Sequence, residues 1–199
     1  IHLLRNHELS RHQVSSQIFD DPKHLKEAQL QKLVHYYPSI KKNFRQRKVI
    51  LSCACTREPT QCLIVENMDS YHYLLSIIPN DWMLICGFGA RVTKQNILDP
   101  DIIDFHYHEG ASIAVIQASK VFWINPATPK YYWGDIDKKG VEIFTSLKVQ
   151  LPNLKLWQLG YQRSLKVQDD ITLEMLKRKL SKSAVYQEIA MIGVNDFND

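Results

Sequence analysis

Gln61-Cys62-Leu63-Ile64-Val65-Glu66 and, further on, Lys130-Tyr131-Tyr132-Trp133-Gly134-Asp135-Ile136-Asp137 share one plan: a mainly apolar run that stops at carboxylates. The first, with no polar alternation, is the pattern of a strand covered on both faces, as in parallel sheets flanked by helices. Outward from these two, residues 49–55 (VILSCAC) have the β-branched, apolar look of a strand, and Glu58-Pro59-Thr60 supplies a turn. Residues 69–78 (DSYHYLLSII) read as a helix and 82–87 (WMLICG) as a strand. Gly87-Phe88-Gly89 then makes a tight turn into a further helical stretch. Residues 138–151 form a helix with Val141, Phe144, Leu147 and Leu151 on one side, ended by Pro152, and 154–159 (LKLWQL) a strand. Two amphipathic stretches, 171–180 and 183–192, close the chain. Strand and helix alternating at this spacing need crossover connections, so the expected fold is α/β with a mainly parallel, Rossmann-like sheet.

Two regions depart from this rhythm. Residues 1–48 look helical and polar, with a turn at Asp20-Asp21-Pro22 and then Leu25, Ala28, Leu30, Leu33 and Val34 near helical spacing. The sharpest change of composition, at 48/49, is the expected domain boundary. Residues 98–128 hold Pro100 and Pro126, with Pro129 just after, an acidic-aromatic patch (Asp101, Asp104 to Glu109) and one apolar stretch. They read as an elaboration with one helix or strand.

The chain has 199 residues, of which 45% are hydrophobic and 23% charged, proportions that bury a core and exclude wholesale disorder. No apolar run approaches the roughly 18 residues that span a bilayer, so no membrane role is expected. The start, Ile1-His2-Leu3-Leu4-Arg5, lacks the pattern of a signal peptide, and a first residue other than Met suggests a fragment or processed product. Cys53, Cys55, Cys62 and Cys86 lack zinc-ribbon spacing and are too few for a disulfide framework; buried thiols are the better reading, which points to the cytoplasm. A net charge of +4 permits contact with nucleic acid without demanding it. The charge is concentrated: Lys41, Lys42, Arg45, Arg47 and Lys48 fall within one short stretch, and a second basic run covers 177–182. Either is a solvated face unless an active site lies nearby.

In an open parallel sheet, ligands gather beyond the C-terminal strand ends. Glu66, Asp135 and Asp137 are expected there. Three clustered carboxylates repel one another, and a hard divalent cation such as Mg2+ relieves the repulsion while keeping waters for a phosphate to displace. Two such ions activate a water and stabilise the leaving oxygen of a phosphodiester. The plainer alternative stays open: acids at strand ends are also turn formers and helix caps, with Asp137 placed to cap a helix at Lys138 and Asp69 one at Ser70. Tyr36-Tyr37 and Tyr131-Tyr132 read as packing aromatics rather than nucleophiles. His106 and His108 show no partner, and Arg91 and Lys94 are within reach of a phosphate or simply solvated.

The pieces taken together resemble the Toprim domain of the JetD-like Wadjet nuclease family. They are Val65-Glu66-Asn67, Gly87-Phe88-Gly89, and Trp133-Gly134-Asp135-Ile136-Asp137 with Gly140 after it; upstream, Ser16, Ile18, Phe19, Asp21, Lys23 and Leu25 match a further family segment. The similarity spans about residues 14–160. It implies a Toprim fold with a four-stranded parallel sheet over 49–199. Residues 1–48 would then be what remains of an upstream arm or winged-helix region, as in the related A subunit of type IIB topoisomerases. It further implies Glu66, Asp135 and Asp137 as catalytic ligands of Mg2+ or Mn2+ in a DNA endonuclease. Such a nuclease would cleave double-stranded plasmid DNA with an SMC, condensin-like complex. Lys41, Lys42, Arg45, Arg47, Lys48, Lys138 and Lys139 become candidate DNA contacts on electrostatic grounds. The family's Glu-rich C-terminal segment would correspond to 192–199, where Asp196 and Asp199 stand and no glutamate does.

The rival reading is a catalytically degenerate Toprim-fold module that binds DNA or assembles partners. A phosphoacceptor receiver domain is weaker, since it needs a lysine at a later strand end. A homodimer is expected only because cutting both strands takes two sites.

Overall fold

The computed structural model describes residues 9–38, 48–93, 97–166, 184, 185 and 187–189. The chain forms two compact units, Ile1–Lys48 and Val49–Asp199. In the first, α1 (Arg11–Phe19) starts at a capping box in which the Ser10 side chain accepts from Gln13 N–H and the Gln13 side chain from Ser10 N–H. It stops at Asp20, whose φ of 55° is left-handed. Buried Ser15 fastens the following turn, donating to the Asp21 carbonyl and accepting from Leu25 N–H at 2.9 Å. Val14, Leu25 and Leu30, the last from α2 (Glu27–Tyr36), make a small core.

The second unit is a six-stranded sheet with helices on both faces. Its strands are β1 (Val49–Ala54), β2 (Gln61–Val65), β3 (Trp82–Cys86), β4 (Ile103–Tyr107), β5 (Lys130–Trp133) and β6 (Lys155–Leu156), in the order β4-β1-β3-β2-β5-β6. All neighbours are parallel except β1 with β3. The α/β, mainly parallel architecture is that expected, with six strands where the resemblance implied four. The two outer strands account for the difference. β4 falls in the stretch read as an elaboration, because an edge strand tolerates Asp104 and His106 and so lacks an apolar signature. β6 is only two residues long, and the segment expected to continue it as strand turns instead into α6 (Gln158–Lys166). The reversed direction of β1 follows from its link to β2: Cys55–Thr60 is too short for a parallel crossover, which takes about a dozen residues.

The apolar run of β2 is explained by burial on both sides. Cys62 and Ile64 face one core with Met83, Ile85, Tyr132 and Leu156. That core is closed by Phe144 and Leu147 of α5 (Lys138–Gln150) and Trp123 of α4 (Ile113–Ile124). Leu63 and Val65 face the other core with Leu84 and Cys86, under Tyr71 and Leu74 of α3 (Met68–Leu75). Lys130 opens β5 from a buried position, and its ammonium donates to the Asn125 carbonyl at 2.6 Å and to the Thr128 hydroxyl. It thus satisfies carbonyl groups left over at the C-terminus of α4.

Candidate functional site

Because β2, β3 and β5 run the same way, their C-terminal ends lie along one edge, and register pairs Val65 with Cys86 and with Trp133. Glu66 is the next residue after β2; its N–H donates to the Trp133 carbonyl, so it enters the edge as an extension of the ladder. The β3 end folds over it. Gly87 N–H donates to Val65 O and Gly89 N–H to Glu66 O at 2.8 Å. This closure uses two successive left-handed residues, Phe88 (φ 46°) and Gly89 (φ 62°), before a short 3-10 helix, Gly89–Thr93. Arg91 on that helix lies with its guanidinium carbon 5.2 Å from the Phe88 ring centre.

The carboxylate of Glu66 is buried, 9% exposed, and held by two donors on the same oxygen: Tyr132 Oη and Asp135 N, each 3.0 Å from Oε2. Ile64 pairs with Tyr132, so Glu66 and Tyr132, both on that face, come together beyond the pair. Gly134 is the next residue on this face, and its missing side chain leaves the space they fill. A Cβ there would collide with the Tyr132 hydroxyl and stand 2.5 Å from Glu66 Oε2. Gly140 does the same for the following turn, where a Cβ would collide with the Asp135 carbonyl. Tyr161 of α6 completes the wall, its hydroxyl accepting from Gly134 N–H at 3.2 Å. Burial holds the Tyr132 and Tyr161 phenols well above their ordinary pKa, and the nearby Glu66 and Asp135 charges push the same way. Glu188 adds to that field at Tyr161.

The expected acids are therefore used unequally. Glu66 and Asp135 adjoin at the edge through the Asp135 main-chain N–H, while the Asp135 side chain is exposed. Asp137 is the N-cap of α5, its Oδ1 accepting from Gly140 N–H at 2.8 Å, which is the plainer alternative left open by the sequence. The cap of α3 is Asn67 rather than Asp69: Asn67 Oδ1 accepts from Ser70 N–H at 2.8 Å, because the helix begins two residues earlier than its apolar pattern suggests. Among the described residues, no group of three or more His, Cys, Asp or Glu is placed to hold a metal ion. Asp137 thus has Oδ1 engaged by its own helix, and Glu66 has Oε2 engaged by two donors. Glu66 and the exposed Asp135 are the hard-oxygen side chains at this edge that would hold a divalent cation, since Mg2+ commonly takes one or two carboxylates and completes its shell with water and phosphate.

Of the basic candidates, Lys138 and Lys139 stand exposed on the first turn of α5, each within 4.0 Å of Glu142 (3.9 and 3.7 Å). Lys48 is exposed. Lys41, Lys42, Arg45, Arg47, Lys94, the 177–182 run and the 192–199 segment lie outside the described residues. His106 is on β4, at the far edge of the sheet from β5, and His108 follows that strand. Glu188, described and half-buried, escaped the sequence reading; its only signal is that Val185 and Ile189, packed on the core one helical turn apart, turn this segment toward the sheet.

No curated protein matches the chain. A family model described as Wadjet protein JetD, C-terminal, matches residues 20–183. A match over most of the length, carrying the Glu66 edge, the glycine-opened Gly134-Asp135 turn and the capped α5 within it, shows that the chain belongs to the family of the Wadjet protein JetD C-terminal region.

Proposed function

We propose that this chain is the DNA-cleaving part of a Wadjet anti-plasmid system: a Toprim-type, divalent-metal-dependent endonuclease that works with an SMC, condensin-like complex. The observation that carries the reading is that Glu66 and Asp135 follow neighbouring parallel strands at one C-terminal edge of a JetD-family chain, joined there by the Asp135 main-chain N–H. Mg2+ or Mn2+ is the cofactor, held by that pair, and it would polarise the phosphodiester when bound. The chain's own contribution is positional. Glu66 is fixed by hydrogen bonds inside the protein while Asp135 stands at the surface, so the site joins one rigid acid to one accessible to substrate. Lys138 and Lys139 sit at a helix N-terminus, where positive side chains oppose the helix dipole and where a phosphate is welcome. That placement supports a contact with the DNA backbone. Residues 1–48 belong, in this reading, to an upstream arm or winged-helix region, and plasmid duplex is the substrate.

Asp135→Ala is expected to abolish cleavage of circular DNA in the presence of Mn2+ and the loader complex, with the urea unfolding midpoint unchanged. Full activity in that variant would overturn the assignment. A second reading, a DNA-binding or assembly module without catalysis, is favoured by the employment of Asp137 as a cap and of Glu66 Oε2 as a double acceptor. It expects DNA binding indifferent to Mg2+ and to Glu66→Gln.

A further inference from the structure

The sequence reads Tyr132 as packing, and its ring does pack: it is 1% exposed, with its centre 5.7 Å from that of Phe144. The hydroxyl does something else. It has one proton and two acceptors in reach, Glu66 Oε2 at 3.0 Å and the Gly140 carbonyl at 3.4 Å, and the nearer, charged oxygen is the stronger partner. Glu66 extends from a strand end, where a glutamate side chain has three torsions to lose. Asp135 N–H alone would leave the carboxylate free to swing about a single bond. A second donor on the same oxygen, arriving from a ring clamped in the core, removes that freedom and keeps Oε1 out of the bonded pair. Gly134 is the space this arrangement occupies.

We infer that Tyr132 is a positioning residue for Glu66, its hydroxyl orienting the carboxylate so that Oε1 is the oxygen presented at the strand edge. The inference rests on the reading of Glu66 as a functional acid, and Tyr132 touches neither metal nor DNA in it. Partners of this kind change metal affinity by about 10–100-fold when removed.

The test compares wild type, Tyr132→Phe, Glu66→Gln and the double variant, each by Mn2+ calorimetry and by urea denaturation. Tyr132→Phe keeps the ring and the core. It is expected to weaken Mn2+ binding about tenfold, and the double variant is expected to bind no more weakly than Glu66→Gln alone. Unchanged affinity in Tyr132→Phe would overturn the inference, as would an equal further loss in the Glu66→Gln background, because the hydroxyl would then act elsewhere. A wild type that binds no Mn2+ would sink the metal reading instead. The unfolding midpoints then decide the inference: non-additive shifts for Tyr132→Phe and Glu66→Gln support the coupling, and additive shifts overturn it.

Discussion

Gly134 is a residue at which a single methyl group would strike the site's own side chains. It faces the Tyr132 hydroxyl and the Glu66 carboxylate with no room for a Cβ, and both neighbours are bonded in place rather than free to yield. Gly134→Ala is expected to cost about 1–3 kcal/mol, the usual range for overpacking. Adding Tyr132→Phe should return part of it by removing the atom struck first. Thermal denaturation of the single and double variants checks both, and a Gly134→Ala chain as stable as wild type would show that the carboxylate can move aside. Much of this is invisible in the sequence. Glu66 and Asp135 announce themselves as acids closing apolar runs, but the role of Tyr132 depends on the Ile64–Tyr132 register, a contact between residues far apart in the chain. The same limit hides Glu188, whose neighbour Tyr161 lies on α6 just beyond the stretch 154–159 read as strand.

At the scale of elements, α5 is held at its start by Asp137 and carries two lysines against its dipole there. Exposed ion pairs of those lysines with Glu142 offset little of this. The cap matters more: Asp137→Ala is expected to lower stability by about 1 kcal/mol, and Asp137→Asn by far less, since Asn caps equally well. Urea denaturation distinguishes the two. An Asn variant as destabilised as the Ala variant would mean that the negative charge, not the hydrogen bond to Gly140, is what the position supplies. Elements whose signal is local were legible: β2 through burial on both faces, α5 through its one-sided apolar spacing, the Gly87-Phe88-Gly89 turn through its glycines. β4 was not, because an edge strand is half solvated, and the direction of β1 emerged only from the shortness of its link to β2.

For the whole molecule, the sheet's interior is rich in thiols, and this ties stability to alkaline pH. Cys53, Cys55, Cys62 and Cys86 are all buried. Burial pushes the Cys62 thiol up to about 12 from an ordinary value of 9.0, and Cys53 is raised for the same cause. A group raised in the folded state contributes stability that is whole below its unfolded value and is lost as pH climbs past it. The loss therefore begins near pH 9 and runs at about 1.4 kcal/mol per pH unit for each such thiol. The raised Tyr132 and Tyr161 phenols extend it above pH 10. Lys130 acts in the opposite sense, since its lowered value lets the fold gain as pH rises toward 10.5. Urea midpoints are expected to fall between pH 8 and pH 10, and to fall less in Cys62→Ala; parallel falls in both chains would place the titration elsewhere.

The sheet edge also carries its own light source. Trp133 immediately precedes Gly134-Asp135, its ring lies 5.6 Å from that of Trp157, and Gly160 of α6 comes close enough to both indoles that a Cβ would strike them. Trp123 is sealed in the core, 1% exposed, with its indole N–H on the Ile97 carbonyl at 2.7 Å. One pair of fluorophores thus borders the acids while another chromophore is shut away from them, so the unlabelled protein holds both an optical sensor for events at Asp135 and an internal reference against which to read it.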